Sequence, residues 1–136
     1  MDRRLTLAAD GGSRGNPGPA GYGAVVLDAD TGEVLAEEQA SIGRATNNVA
    51  EYRAVLRGVE RARALGATEV EIVNDSELVA RQITGAYKVK HPAMKPLHGE
   101  AIAALREFDR WSIRSVPRAD NARADELVNE ALDAGG

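Results

Sequence analysis

The apolar residues of this chain change period once, and that change limits the folds open to it. Before residue 46 they come in short, loosely alternating runs: Arg4-Leu-Thr-Leu-Ala-Ala, Tyr22-Gly-Ala-Val-Val-Leu, and Val34 to Ile42. Period two marks a strand, because successive side chains point to opposite faces. The first run reads as a strand ending at Asp10, and Gly11 to Gly21 as a turn region rich in Gly and Pro. Asp28-Ala-Asp-Thr-Gly32 is the turn between the second and third strands. Strands linked this briefly form an antiparallel meander.

From Asn48 to Leu65 the period becomes helical, with Val49, Tyr52, Val55, Leu56, Val59, Ala62 and Leu65 recurring on one face. Gly66 ends that helix, and Val70-Glu-Ile-Val is a short strand. Ser76 to Thr84 reads as helix, and an irregular basic stretch runs on through Pro96. Leu97 to Phe108 is a further helix, Trp111-Ser-Ile-Arg-Ser-Val a strand, and Ala122 to Leu132 the last helix. Strands reached through helices are parallel ones. The order βββαβααβα therefore predicts an α/β fold: a five-stranded mixed sheet, three strands antiparallel and two parallel, with helices on its faces. In such sheets sites form beyond the carboxyl ends of the parallel strands.

The chain has 136 residues, 43% apolar and 28% charged, the balance of a soluble globular protein. Residues 1–136 are expected to form a single domain. No apolar run approaches the ~18 residues that span a membrane, and Met1-Asp-Arg-Arg-Leu does not read as a signal peptide. With no cysteine there is no disulfide partner, thiolate metal site or thiol nucleophile, which fits a reducing, cytoplasmic setting. The net charge of −4 argues against a protein that coats nucleic acid by bulk electrostatics. Local basic clusters exist at Lys88, Lys90, His91 and Lys95, and at Arg114, Arg118 and Arg123.

Four acids stand where secondary structure changes: Asp10, Glu51, Asp75 and Asp125. Each has an ordinary local reading. Asp10 before Gly-Gly starts a turn, Glu51 completes a capping box with Asn48, Asp75 or Ser76 caps a helix, and Asp125 sits in the favourable field of a helix start. If the strands bearing Asp10 and Asp75 are neighbours, however, all four face one edge. Such a carboxylate cluster calls for a cation, and an all-oxygen ligand set favours Mg²⁺ or Mn²⁺. His91 and His98 lack the spacing of a helical zinc pair, with Pro92 and Pro96 between them. The glycine-rich segment from Gly11 to Gly23 lacks the Gly-Lys-Ser/Thr ending of a phosphate-binding loop.

Asp10-Gly-Gly-Ser-Arg-Gly-Asn-Pro-Gly-Pro-Ala-Gly-Tyr-Gly-Ala, Thr46-Asn-Asn-Val-Ala-Glu51, Asp75-Ser76 and Asn121-x-x-Ala-Asp125 together resemble type 1 ribonuclease H, in order and spacing, from about Leu5 to Ala131. The resemblance implies the ribonuclease H-like fold, with helices on both faces of the sheet. It implies endonucleolytic hydrolysis of the RNA strand of RNA–DNA hybrids, leaving 3′-hydroxyl and 5′-phosphate ends. The family's mechanism places two Mg²⁺ ions around the scissile phosphate, with Mn²⁺ as a substitute. By carry-over Asp10 bridges both ions, Asp125 serves the ion on the attacking water, and Glu51 and Asp75 the ion at the leaving oxygen. Gly11, Gly12, Asn16 and Asn47 match positions that meet the RNA strand. Arg44 and Thr46 match a pocket for a DNA-strand phosphate.

Three departures from the family's best-known pattern stand out. The loop Ser115-Val-Pro-Arg-Ala-Asp-Asn121 lacks a histidine found in many members, with Arg118 as the nearest substitute. Arg118 stays protonated, so it can bind phosphate but not act as a base. The basic handle of some members shrinks to Gly85-Ala-Tyr-Lys-Val-Lys-His-Pro-Ala-Met-Lys, and Glu77 stands where relatives carry glutamine. The pattern resembles archaeal-like and actinobacterial members, some of which form the front domain of a larger enzyme. The expected partner is an RNA–DNA hybrid, and the expected state a monomer. The alternative is a non-catalytic hybrid-binding module of the same fold. A further one is an exonuclease or DNA-strand nuclease of the same superfold.

Overall fold

The computed structural model describes residues 2–135. Its elements run β1 (Arg4–Ser13), β2 (Gly18–Asp28), β3 (Val34–Ala45), α1 (Asn47–Ala64), β4 (Glu69–Asn74), α2 (Glu77–Thr84), α3 (Lys95–Leu105), β5 (Arg110–Ser115), a 3-10 turn (Arg118–Asn121) and α4 (Ala122–Gly135). The sheet order is β3-β2-β1-β4-β5. β2 pairs antiparallel with β1 and β3, while β4 pairs parallel with β1 and β5. The five-stranded mixed sheet expected from the sequence is the one observed.

Two glycine-rich stretches that read as loop in the sequence are strand ends in the structure. The segment from Gly11 to Gly21 is mostly ladder: Gly11 pairs with Tyr22, Gly12 with Gly21 and Ser13 with Ala20. Asp10 thus lies inside β1, opposite Gly23, and starts no turn. Glycine reads as loop, yet here it is what lets helices approach the strands. A Cβ on Gly11 would run into the Ala50 backbone of α1, and one on Gly23 would sit 2.6 Å from Leu127 Cβ of α4. The third helix also differs, spanning Lys95–Leu105 rather than Leu97–Phe108. Pro96 lies in its first turn, where a missing N–H costs nothing.

Helices α1, α2 and α3 cover one face. Their core joins Leu5, Leu7 and Val26 with Val70 and Ile72 of the sheet, Tyr52, Val55 and Val59 of α1, Val79 of α2 and Leu105 of α3. Burying each large aliphatic side chain contributes about 1.5–3 kcal/mol. Within this core the Tyr52 hydroxyl donates to Gln82 Oε1 at 2.7 Å, linking α1 to α2. The other face holds α4, whose Ala124, Leu127, Val128 and Ala131 are buried against β2 and its neighbours. The chain fills β1's left side with β2 and β3, then crosses to place β4 on its right. That reversal lies between β1 and β4, where open α/β sheets form their clefts.

Candidate active site

Parallel register sets the first two carboxylates side by side. Ala8 pairs with Val73, so Asp10 and Asp75, each two residues further on, stand at one level, Asp10 within β1 and Asp75 just past the end of β4. Helix α1 supplies the third. Because Gly11 carries no side chain, the first turn of α1 rests directly on β1, with Ala50 and Glu51 backbone against it. Carboxylate oxygens of Asp10, Glu51 and Asp75 consequently lie within 4.8 Å of one another. Asp125, in the first turn of α4, lines the same cavity as the other three.

The capping roles open to Glu51 and Asp75 are taken by other residues. Thr46 is the N-cap of α1, accepting from Val49 N–H, so Glu51 makes no capping box with Asn48. Ser76 caps α2, accepting from Val79 N–H at 3.2 Å, which leaves Asp75 free of that task. Asp10 and Glu51 are only 3% and 5% exposed, a costly place for charge without a partner. Burial first, then the neighbouring Asp75, pushes the Asp10 carboxyl up to about 8. Burial, then Asp10 and Asp75, pushes Glu51 up to about 11. Glu51 Oε2 is buried with no hydrogen-bond partner.

A hard divalent cation answers each of these strains. It would satisfy the orphan oxygen, offset the mutual repulsion and match an all-carboxylate donor set. Asp10, Glu51, Asp75 and Asp125 therefore fit Mg²⁺ or Mn²⁺. Arg118 already stands beside them, its Nε 3.4 Å from Asp75 Oδ2. That contact, reinforced by Asp125 and Asp10, raises the guanidinium pKa further.

The acids line an open cavity of about 440 Å³ together with Gly11, Gly12, Asn47 and Arg118. Asn16, Arg44 and Thr46 lie outside it. Asn16 Oδ1 accepts from Asn47 N–H at 3.1 Å, and Asn47 Oδ1 accepts from Ser13 N–H at 2.8 Å, stitching the β1–β2 hairpin to the start of α1. Arg44 is exposed at the end of β3, opposite Pro19. Ser13, Arg14, Asn48, Val128, Asn129 and Leu132 also line the cavity and were not foreseen. Val128, Asn129 and Leu132 follow Asp125 by three, four and seven residues, the spacing of one helix face, so that signal was present in the sequence.

A mixed sheet in the order β3-β2-β1-β4-β5, with helices on both faces and carboxylates gathered where β1 and β4 end, defines the ribonuclease H-like fold class. A family model described as reverse transcriptase-like matches residues 8–131. The Mycobacterium tuberculosis bifunctional protein Rv2228c is 54% identical over 131 residues, 96% of this chain but 36% of its own length. Its N-terminal RNase H domain superposes with a TM-score of 0.95, covering 98% of this chain and 96% of the solved one. RNase H1 of the archaeon Halobacterium salinarum is 47% identical in structure-based alignment over 96% of this chain and 98% of the solved one, TM-score 0.92. LC11-RNase H1, solved in complex with RNA/DNA hybrid, is 45% identical over 96% of this chain and 98% of its own, TM-score 0.91. The chain belongs to the type 1 ribonuclease H family. It spans about a third of the length of the mycobacterial relatives it matches, and 65% of the curated Halobacterium one.

Proposed function

We propose that this chain is an endonuclease that hydrolyses the RNA strand of RNA–DNA hybrids with two bound Mg²⁺ ions, leaving 3′-hydroxyl and 5′-phosphate ends. The observation that carries this reading is the trio of close carboxylates, two of them almost fully buried, with an oxygen of Glu51 unpaired. A domain that merely bound nucleic acid would gain by losing them, because they repel phosphate. When bound, the ions lower the pKa of the attacking water and offset charge on the leaving oxygen. Asp10, Glu51, Asp75 and Asp125 would hold them.

The remaining residues position the substrate. The backbone around Gly11 and Gly12, with Asn47, meets the RNA strand, and Glu51 accepts a 2′-hydroxyl, the group that separates RNA from DNA. Arg44 and Thr46, beyond the cavity, take a phosphate of the DNA strand, with Asn16 fixing the hairpin between the two contacts. Arg118 faces the phosphate being cut. The proposal extends to a monomeric domain working in the cytoplasm.

The test is cleavage of an end-labelled hybrid in Mg²⁺ or Mn²⁺, with EDTA and Asp75→Asn as controls and single-stranded RNA, double-stranded RNA and DNA alongside. Internal cuts confined to the hybrid's RNA, lost with EDTA and with Asp75→Asn, are expected. Tight hybrid binding without cutting in either metal would instead identify a binding module.

A further inference from the structure

Two cations line the catalytic cavity, Arg14 and Arg118. Arg118 is engaged with Asp75. Arg14 sits at the tip of the β1–β2 hairpin, and its Nη2 donates to Asp133 Oδ1 at 2.6 Å, on the last turns of α4. The backbone beneath Arg14 is held firmly. Its N–H donates to the Pro19 carbonyl at 2.8 Å, and Ser13 and Asn16 on either side are tied to Asn47. Gly18 packs against the Arg14 carbonyl so closely that no Cβ would fit. Only the side chain is left to move.

The pair that holds it is weak. Arg14 and Asp133 side chains are 51% and 70% exposed, so solvent and salt screen their attraction. A phosphodiester offers a guanidinium two oxygens in matching geometry, whereas Asp133 meets Arg14 through one oxygen only. Asp133 lies eight residues beyond Asp125, about 12 Å along the helix axis. A phosphate reached from there is a neighbour of the one being cut.

We propose that Arg14 grips a backbone phosphate of the RNA strand beside the cleavage point, and that Asp133 parks the guanidinium until that strand arrives. This rests on the reading of the cavity as a hybrid-cleaving centre. Arg14 and Arg118 border the cavity from different elements, the hairpin and the turn after β5. The strand that crosses a nest of negative charge then meets a guanidinium from each. Asp133 competes with phosphate for Arg14, so it acts as a brake on binding.

The experiment measures hybrid binding by fluorescence anisotropy across a salt series, in an Asp10→Asn background that blocks cutting, with KM and kcat measured for each variant in the native background. Arg14→Ala is expected to weaken binding roughly tenfold, as loss of one charge-assisted hydrogen bond does, and to lower the salt slope by about one. Asp133→Ala is expected to tighten binding severalfold, and Arg14→Ala/Asp133→Ala to match Arg14→Ala alone. An equal gain from Asp133→Ala with and without Arg14 would mean a general charge effect and overturn the proposal. So would unchanged binding with a lowered melting temperature, which marks the pair as a brace between hairpin and helix. If the chain cuts hybrids and Arg14→Ala alters neither affinity nor salt slope, this assignment falls alone. If the unmutated chain binds no hybrid, it falls with the nuclease reading.

Discussion

The Asn121 amide donates to the carbonyl of Ala9 at 2.9 Å, joining residues 112 apart in sequence. Ala9 immediately precedes Asp10, and Asn121 immediately precedes α4, which carries Asp125. This buried bond pins the last helix to the central strand where their carboxylates meet. Asn121→Ala should cost about 1–3 kcal/mol of stability, because it leaves the Ala9 carbonyl buried and unpaired. Denaturant unfolding measures it, and a loss below about 0.5 kcal/mol would show that the bond does little.

The carboxylate cluster makes the metal-free protein sensitive to pH. Asp10 and Glu51 are raised in the folded state, to about 8 and about 11. A raised carboxyl contributes stability that is fully present below its unfolded value near 4, and lost as pH climbs through the folded value. Melting temperature in EDTA should therefore fall between pH 5.5 and 8.5. Asp10→Asn should flatten that fall and raise the melting point at pH 8.5 by about 3 °C or more. Mg²⁺ should raise it in the native chain far more than in the variant. A flat profile in EDTA would contradict the burial and crowding described.

Gly11 and Gly12 should respond oppositely to alanine. A methyl group on Gly11 would collide with the Ala50 backbone, which nothing flexible relieves. Moving α1 away would carry Glu51 with it, so Gly11→Ala should lose about 2–4 kcal/mol and most of its activity. At Gly12 the nearest atom is Val128 Cγ1 at 3.7 Å, ordinary contact. Gly12→Ala should fold almost normally. Paired melting and activity measurements decide it.

The Arg118 side chain is 75% exposed and, among the described residues, is tied to Asp75 alone. If it faces phosphate, Arg118→Ala should raise KM about tenfold and reduce the salt slope by about one, with Arg118→Lys recovering part of the loss. An unchanged KM with a changed metal requirement would mean that Arg118 serves Asp75 and not the substrate.

Tyr52, next to Glu51 in sequence, faces the core instead and forms a buried pair with Gln82. Tyr52→Phe leaves Gln82 Oε1 without its donor and should cost about 1–2 kcal/mol while leaving hybrid cleavage intact. Parallel unfolding and cleavage assays separate the two effects.

The sequence by itself determined the element order, through period two before residue 46 and the helical period of Val49, Tyr52, Val55 and Val59 after it. It also marked the four acids, because each stands in a short motif with fixed neighbours. Those are local properties, carried by spacing along the chain. Only the tertiary structure decided which local roles Asp10, Glu51 and Asp75 do not take. Thr46 and Ser76 took the caps, and ladder pairing with Gly23 took Asp10 out of a turn. Gly11 to Gly21 misled for a related reason: glycine marks a loop in isolation, yet here it is the space into which α1 and α4 settle. The Asn121–Ala9 bond and the Arg14–Asp133 pair span 112 and 119 residues, distances at which no local pattern reports contact. Close packing of helix on strand fixed them, and with them the crowding of Asp10, Glu51 and Asp75.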